Sequence, residues 1–264
     1  MAAQARHESG AASAPLGAAQ IAAFRRDGFV VASGLLAPGE IADLTRWTEE
    51  LASALEQPGR HMVYGEQSIL APERRLIQRI ENFCPFHAGF DALLARGRVI
   101  AATAQLFGES AVMFKDKINF KMPGGDGFKA HQDQQAGWSR YASLFITALV
   151  AIDAATVENG CLEIAAGQHR RGLLGPEWRP LEVADMAGFA LKPLPTAPGD
   201  VVFFDSYVPH ASSPNLTGAQ RRVLYVTYNR ASEGDHRERY FADKRAAFPP
   251  DVERQPGTRY VFRV

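Results

Sequence analysis

Cysteine is scarce in this chain. Two thiols among 264 residues, Cys84 and Cys161, argue against a disulfide scaffold. Cys161 lies in an apolar run and Cys84 between Phe83 and Pro85, so both read as structural core. Excess charge is absent as well. Lys and Arg total 29, and so do Asp and Glu. That balance removes any global attraction to nucleic acid or to an anionic membrane. No apolar run approaches the roughly 20 residues of a membrane-spanning helix. The Ala-rich start, Met1 to Ala19, is broken by Arg6, His7 and Glu8 and lacks the continuous stretch of a secretory signal. It reads as a frayed tail over residues 1–19, ahead of a single domain over residues 20–264. Without export features the chain reads as cytoplasmic. No repeat of fixed period is visible, and nothing in the pattern specifies an oligomer.

Apolar residues make up 46% of the chain, enough to bury a substantial core. Barrel-like β folds often run about 200–250 residues as one unit. Pro38-Gly39-Glu40 opens a helix through about Gln57, with Ile41, Leu44, Trp47, Leu51 and Leu55 at helical spacing facing the core. Mixed polarity from His61 to Phe90 reads as a long loop with short strands, of the kind that covers active sites. A second helix is expected from Asp91 to Phe107, closed by Gly108. Strand-like runs then dominate: Val112–Met122, Ser143–Ile152, Cys161–Ala165, Phe189–Leu194, Val201–Asp205 and Val223–Asn229. Leu173–Ala187 reads as a surface loop or lid, and the charged tail from Ser232 to Arg254 as helical around Tyr240 to Ala247.

Chemistry concentrates in His131-Gln132-Asp133 and in His210, 77 residues after Asp133. Residues i and i+2 of a strand share a face, so His131 and Asp133 can reach one ion. Two imidazoles and one carboxylate suit one face of an octahedral Fe(II) and leave the opposite face open. Arg221 follows His210 by 11 residues and opens the strand-like run Arg221-Arg222-Val223-Leu224-Tyr225-Val226-Thr227-Tyr228. Its planar guanidinium can grip the distal carboxylate of 2-oxoglutarate with two parallel bonds. Strand parity selects Arg221 over Arg222, which faces the other way. A hairpin is expected to set this strand beside the one leading to His210. Ser212 can add a hydroxyl.

Four segments in this order resemble the phytanoyl-CoA dioxygenase family of non-haem iron oxygenases. They are Phe24–Val31, Lys121–Asp133, Ile152–His169, and Pro198 through His210-Ala211-Ser212 to Arg221. The resemblance spans about Ile21 to Asn229. It implies a mainly β fold with flanking helices, a double-stranded β-helix of the jelly-roll, cupin-like kind. It implies Fe(II) and 2-oxoglutarate as cofactors, dioxygen as co-reactant and a small-molecule substrate. Residue by residue, His131, Asp133 and His210 match the family's iron ligands, Arg221 its 2-oxoglutarate arginine, and Ser212 a frequent helper. Asn119 and Thr147 stand where some members contact the cosubstrate. Halogenating relatives carry a small residue in place of Asp133, so its carboxylate argues for hydroxylation. Ala166-Gly167-Gln168-His169 departs from the family's Pro-Gly-Ser-His, which leaves the turn but sets aside any inherited role for His169. Lys115–Lys121 together with His131–Trp138 resembles most the 2-aminoethylphosphonate dioxygenase branch.

Substrate contacts are expected from Lys117, Lys121, Gln134, Trp138 and Tyr225. Lys115, Lys117 and Lys121 share strand parity and suit an anionic group, although lysines also guard solvated sheet edges. Trp138 reads either as a pocket wall or as core. His61, His87 and His236 read as structural. The competing substrates are an amino acid, a secondary metabolite or an acyl thioester. A non-catalytic metal- or ketoacid-binding sensor is the alternative from another class, and the complete ligand set with Arg221 and Ser212 disfavours it.

Overall fold

A computed structural model describes residues 14–261. In chain order the helices are α1 (Ala18–Asp27), α2 (Pro38–Ser53), α3 (Ala88–Ala95), α4 (Arg98–Phe107) and α5 (Arg237–Ala247). The strands are β1 (Phe29–Ala32), β2 (Met62–Gln67), β3 (Arg75–Glu81), β4 (Ala111–Lys121), β5 (Phe128–His131) and β6 (Phe145–Ala151). Then come β7 (Leu162–Ile164), β8 (Lys192–Leu194), β9 (Val201–Asp205), β10 (His210–Ser212) and β11 (Arg221–Arg230). The larger sheet runs β1-β9-β6-β11-β4-β3-β2 and the smaller β5-β10-β7-β8. All pairings are antiparallel. From β4 onward the chain crosses repeatedly between the sheets, which is the winding of a double-stranded β-helix.

Period-two alternation divides the apolar residues between two interiors. On β11, Leu224, Val226 and Tyr228 face the helices, together with Ile146, Ala148 and Val150 of β6. Val223 of β11 and Leu149 of β6 point instead between the sheets, against Leu162, Ile164 and Phe204. β6 is buried along its whole length, which explains its nearly continuous apolar run. Each Leu or Phe taken out of water in this way stabilises the fold by about 1.5–3 kcal/mol.

Pro38 sits in the first turn of α2, and the Glu40 carboxylate accepts the Ala37 N–H at 2.8 Å. This helix ends at Ser53, before Leu55, which is therefore exposed and no part of the expected stripe. The expected helix over Asp91–Phe107 is two helices. They part at Gly97, where a Cβ would lie 2.3 Å from the Leu93 carbonyl oxygen. The expected loop from His61 to Phe90 is largely the hairpin β2–β3 at the end of the large sheet. The expected tail ends earlier than residue 19. Leu16 belongs to the core and α1 starts at Ala18, while residues 1–13 lie outside the described residues. Among the described residues, no helix is long and apolar enough to cross a membrane.

Candidate active site

The small sheet brings the two histidines together. β5 and β10 pair with His131 directly opposite His210, and the ring centroids are 4.3 Å apart. His131 Nδ1 lies 2.7 Å from the Lys129 carbonyl oxygen, and His210 Nδ1 lies 3.0 Å from that of Val208. A carbonyl can only accept, so each Nδ1 carries the hydrogen and each Nε2 lone pair is left for a metal. Asp133 follows Gln132, whose backbone is still extended, and so returns to the His131 face. Asp133 Oδ1 is 3.8 Å from both Nε2 atoms. The three donor atoms lie within 4.8 Å of one another, close enough for one ion to touch all three. Burial, then the neighbouring His210 ring, hold His131 neutral and well below its usual range. Burial opposes the Asp133 charge, but His210, His131, Lys117 and Lys115 outweigh it and keep the carboxyl ionised below its usual range. Two imidazoles and one carboxylate, without a thiolate, are a donor set that suits Fe(II).

The large sheet supplies the facing wall. Thr147 donates to Asp133 Oδ2 at 2.9 Å and shares a 3.0 Å hydroxyl contact with Thr227. Thr147, expected to touch the cosubstrate, thus holds the carboxylate in place. The cavity encloses about 450 Å³ and reaches from Ser212 and Asn119, past His131, Asp133 and His210, to Lys117 and Trp138.

Behind Ser212 at one side of this space two cations are buried, with no ion pair among the described residues. Arg221 on β11 stands opposite Lys121 on β4, each 3% exposed. Lys121 Nζ donates to Ser212 Oγ at 2.7 Å and approaches the Gly160 carbonyl at 3.4 Å. Arg221 Nη2 donates to the same Gly160 oxygen, and Arg221 Nε has no partner. Burial, then the Arg221 charge, pull Lys121 down to about 7. Burial likewise lowers Arg221. An anion between them would relieve both. Gly160 is required there: its φ is +74°, and a Cβ would lie 2.0 Å from the Ser213 carbonyl oxygen. Asn119 Oδ1, beside this pair, also lacks a partner. Arg222 points away as parity requires. It binds both carboxylate oxygens of Asp153 at 2.8 Å and reaches Glu49.

Several expectations change. The strand carrying Arg221 is not a hairpin partner of the strand before His210. β11 lies between β6 and β4 in the large sheet, and β10 is in the small one. Lys121 lies opposite Arg221 and does not line the cavity. Gln134 does not face the cavity. The chain turns into a 3-10 helix at Asp133, which ends strand parity. Gln134 is buried, accepting from Ser206 Oγ at 2.8 Å and donating to Ser139 Oγ at 3.1 Å. The lysines guard no edge, because β4 sits inside the sheet. Lys117 and Tyr225 both line the cavity, with Lys117 Nζ 4.7 Å from the Tyr225 ring centroid. Burial, then Lys115, draw Lys117 down to about 7. Trp138 is both wall and core: it lines the cavity and packs on Phe114 and Phe145. His169 abuts Gly28, and it does not line the cavity.

Sequence reasoning missed Gln132, Gln135, Arg79 and Glu81. Gln132 donates to the Gly172 and Tyr207 carbonyls at 2.8 and 2.6 Å, and Gln135 donates to those of Pro176 and Arg179 at 2.9 and 2.8 Å. They tie the ligand turn to the loop over residues 172–180. Arg79 and Glu81 line the cavity from β3. Register places them opposite Asn119 and Lys117, a relation visible only once β3 is seen to be a strand.

The sequence pattern of the family described as phytanoyl-CoA dioxygenase (PhyH) matches residues 24–223. A 2-aminoethylphosphonate dioxygenase from the uncultured bacterium HF130_AEPn_1 is 42% identical over 238 residues, covering 90% of each chain. A methylphosphonate hydroxylase from Gimesia maris is 40% identical over 232 residues, covering 87% of this chain and 86% of that protein. Among solved structures, EctD from S. alaskensis superposes with a TM-score of 0.70 at 24% identity, covering 84% of this chain and 79% of that one. At that identity the likeness concerns the fold.

Proposed function

This chain belongs to the phytanoyl-CoA dioxygenase family and is a dioxygenase, and from that premise we propose that it is an Fe(II)- and 2-oxoglutarate-dependent hydroxylase of a small phosphonate, with 2-aminoethylphosphonate as the best candidate. The observation that carries the reading is a two-histidine, one-carboxylate cluster on a cavity whose Ser212 accepts from the buried Lys121, with buried Arg221 opposite Lys121 in the strand register. In this reading His131, Asp133 and His210 hold the iron. Bound iron with 2-oxoglutarate supplies the oxidising power: dioxygen, 2-oxoglutarate and R–H become R–OH, succinate and carbon dioxide.

The chain's own residues position the reactants. Arg221 grips the distal carboxylate of 2-oxoglutarate, with Ser212 and Lys121 beside it and Asn119 along its length. Thr147 fixes the Asp133 carboxylate so that one oxygen faces the ion. Trp138 and Tyr225 wall the substrate side and limit water there. The relatives' phosphonate substrates support the choice of substrate class. The cytoplasm, with its 2-oxoglutarate and reduced iron, is the compartment this chemistry needs.

The test is succinate release in the presence of Fe(II), dioxygen and 2-oxoglutarate, measured across phosphonates, amino acids and acyl thioesters. Stimulation by phosphonates, strongest with 2-aminoethylphosphonate, is expected. Stimulation by another class alone overturns the substrate assignment. No oxygen-dependent succinate under any condition overturns the enzyme itself and favours a sensor.

A further inference from the structure

Away from Arg221, the cavity wall carries a concentration of positive charge. Four cations, Arg79, Lys115, Lys117 and Lys244, surround one carboxylate, Glu81, which is fully buried. Glu81 is already engaged on both oxygens. Oε1 accepts from Arg79 Nε at 2.8 Å, and Oε2 accepts from Lys244, which reaches in from α5. Lys115 lies 3.9 Å from Oε2 and shares a hydrogen bond with the Tyr240 hydroxyl, while Lys117 has no ion pair among the described residues. The other two carboxylates of the cavity outside the metal cluster, Glu66 and Asp126, act on Lys121 rather than on Lys117.

Aromatic faces steer both ammonium groups. Lys115 Nζ lies 5.6 Å from the Trp138 ring centroid, and Lys117 Nζ lies 4.7 Å from that of Tyr225 and 5.7 Å from that of Phe128. Such contacts steady a cation without using its hydrogens. As residues i and i+2 of β4, the two lysines leave one face about 7 Å apart at the backbone, a span that one tetrahedral oxyanion can bridge. Both lysines line the same cavity as His131 and Asp133.

We infer that Lys115 and Lys117 form the subsite for the substrate's oxyanion head group, with Arg79, Glu81 and Lys244 as the charged scaffold that leaves those two ammonium groups to the ligand. Four cations against one carboxylate leave a positive excess, and a dianionic phosphonate offsets twice as much of it as a monoanionic carboxylate does. This inference rests on the phosphonate reading above.

The experiment titrates methylphosphonate into the anaerobic protein loaded with Fe(II) and 2-oxoglutarate, followed by calorimetry, with acetate as the monoanion control. Wild type is expected to bind the phosphonate at least about tenfold more tightly than acetate. Lys117→Met and Lys115→Met are each expected to weaken phosphonate binding about 10- to 100-fold, as loss of a charge-assisted bond implies. Lys117→Arg retains most of it. Affinity for 2-oxoglutarate stays within about twofold in all three variants. Lys117 is in no ion pair, so its removal leaves the melting temperature unchanged or raised, which a purely structural lysine would not do. Binding by wild type with no loss in either Met variant overturns the subsite and leaves the phosphonate reading standing. No phosphonate binding by wild type overturns both.

Discussion

Thr147 Oγ1 donates to Asp133 Oδ2 at 2.9 Å, and this one bond decides which carboxylate oxygen is left for the histidines. Oδ1 then lies 3.8 Å from each Nε2. Thr147 lies on β6 of the large sheet and Asp133 in the turn just past β5 of the small one, so the bond also ties the ligand turn to the large sheet. Thr147→Val keeps the shape and removes the donor. Metal affinity is expected to fall about 10- to 100-fold, the usual cost of losing such a support. Anaerobic Fe(II) titration checks this, and an unchanged affinity contradicts the role given to Thr147.

Arg221 and Arg222 are neighbours whose side chains leave opposite faces of β11. Arg221→Met is expected to raise KM for 2-oxoglutarate about 100-fold or more, with little change in melting temperature, because it breaks no ion pair. Arg222→Met breaks the two-pronged pair with Asp153 and is expected to cost about 1.5–3 kcal/mol of stability while leaving KM for 2-oxoglutarate near wild type. Steady-state kinetics beside chemical denaturation separates the two, and a reversed pattern would mean that the parity assignment is wrong.

Lys121 is expected to make ketoacid binding depend on pH. Burial, then Arg221, hold it at about 7 in the free protein. A bound carboxylate favours the ammonium form and so raises that value. Binding above about pH 7 must therefore take up a proton, and affinity for 2-oxoglutarate falls as pH rises. Calorimetry in buffers of different ionisation enthalpy is expected to show proton uptake at pH 8 in wild type and none in Lys121→Met. Equal uptake in both proteins removes Lys121 from the carboxylate site.

The clustering of His131, Asp133 and His210 and the outward turn of Arg222 were legible from short-range geometry, and the fold class from the family resemblance. His131 and Asp133 share a face through i, i+2 spacing, and alternation along β11 separates Arg221 from Arg222. Short strands were expected between His61 and Phe90, but their pairing as the hairpin β2–β3 was not. On β3, Leu76 and Ile80 are buried while Arg79 and Glu81 turn toward a charged cavity, so the strand carries too few apolar residues to announce itself. Gln134 was misplaced because strand parity stops where the chain turns at Asp133. Sheet membership escaped as well: β10 and β11 are consecutive yet lie in opposite sheets, a consequence of winding that no local pattern encodes.

The most direct test of the whole account is visible absorption of the anaerobic protein as Fe(II) and then 2-oxoglutarate are added. A ketoacid chelated to iron gives a charge-transfer band in that region that neither component gives alone. The band is expected in wild type, lost in His210→Ala, and weakened in Arg221→Met until 2-oxoglutarate is raised. A band of equal strength in His210→Ala, or none in wild type, would contradict the assignment of the iron to His131, Asp133 and His210.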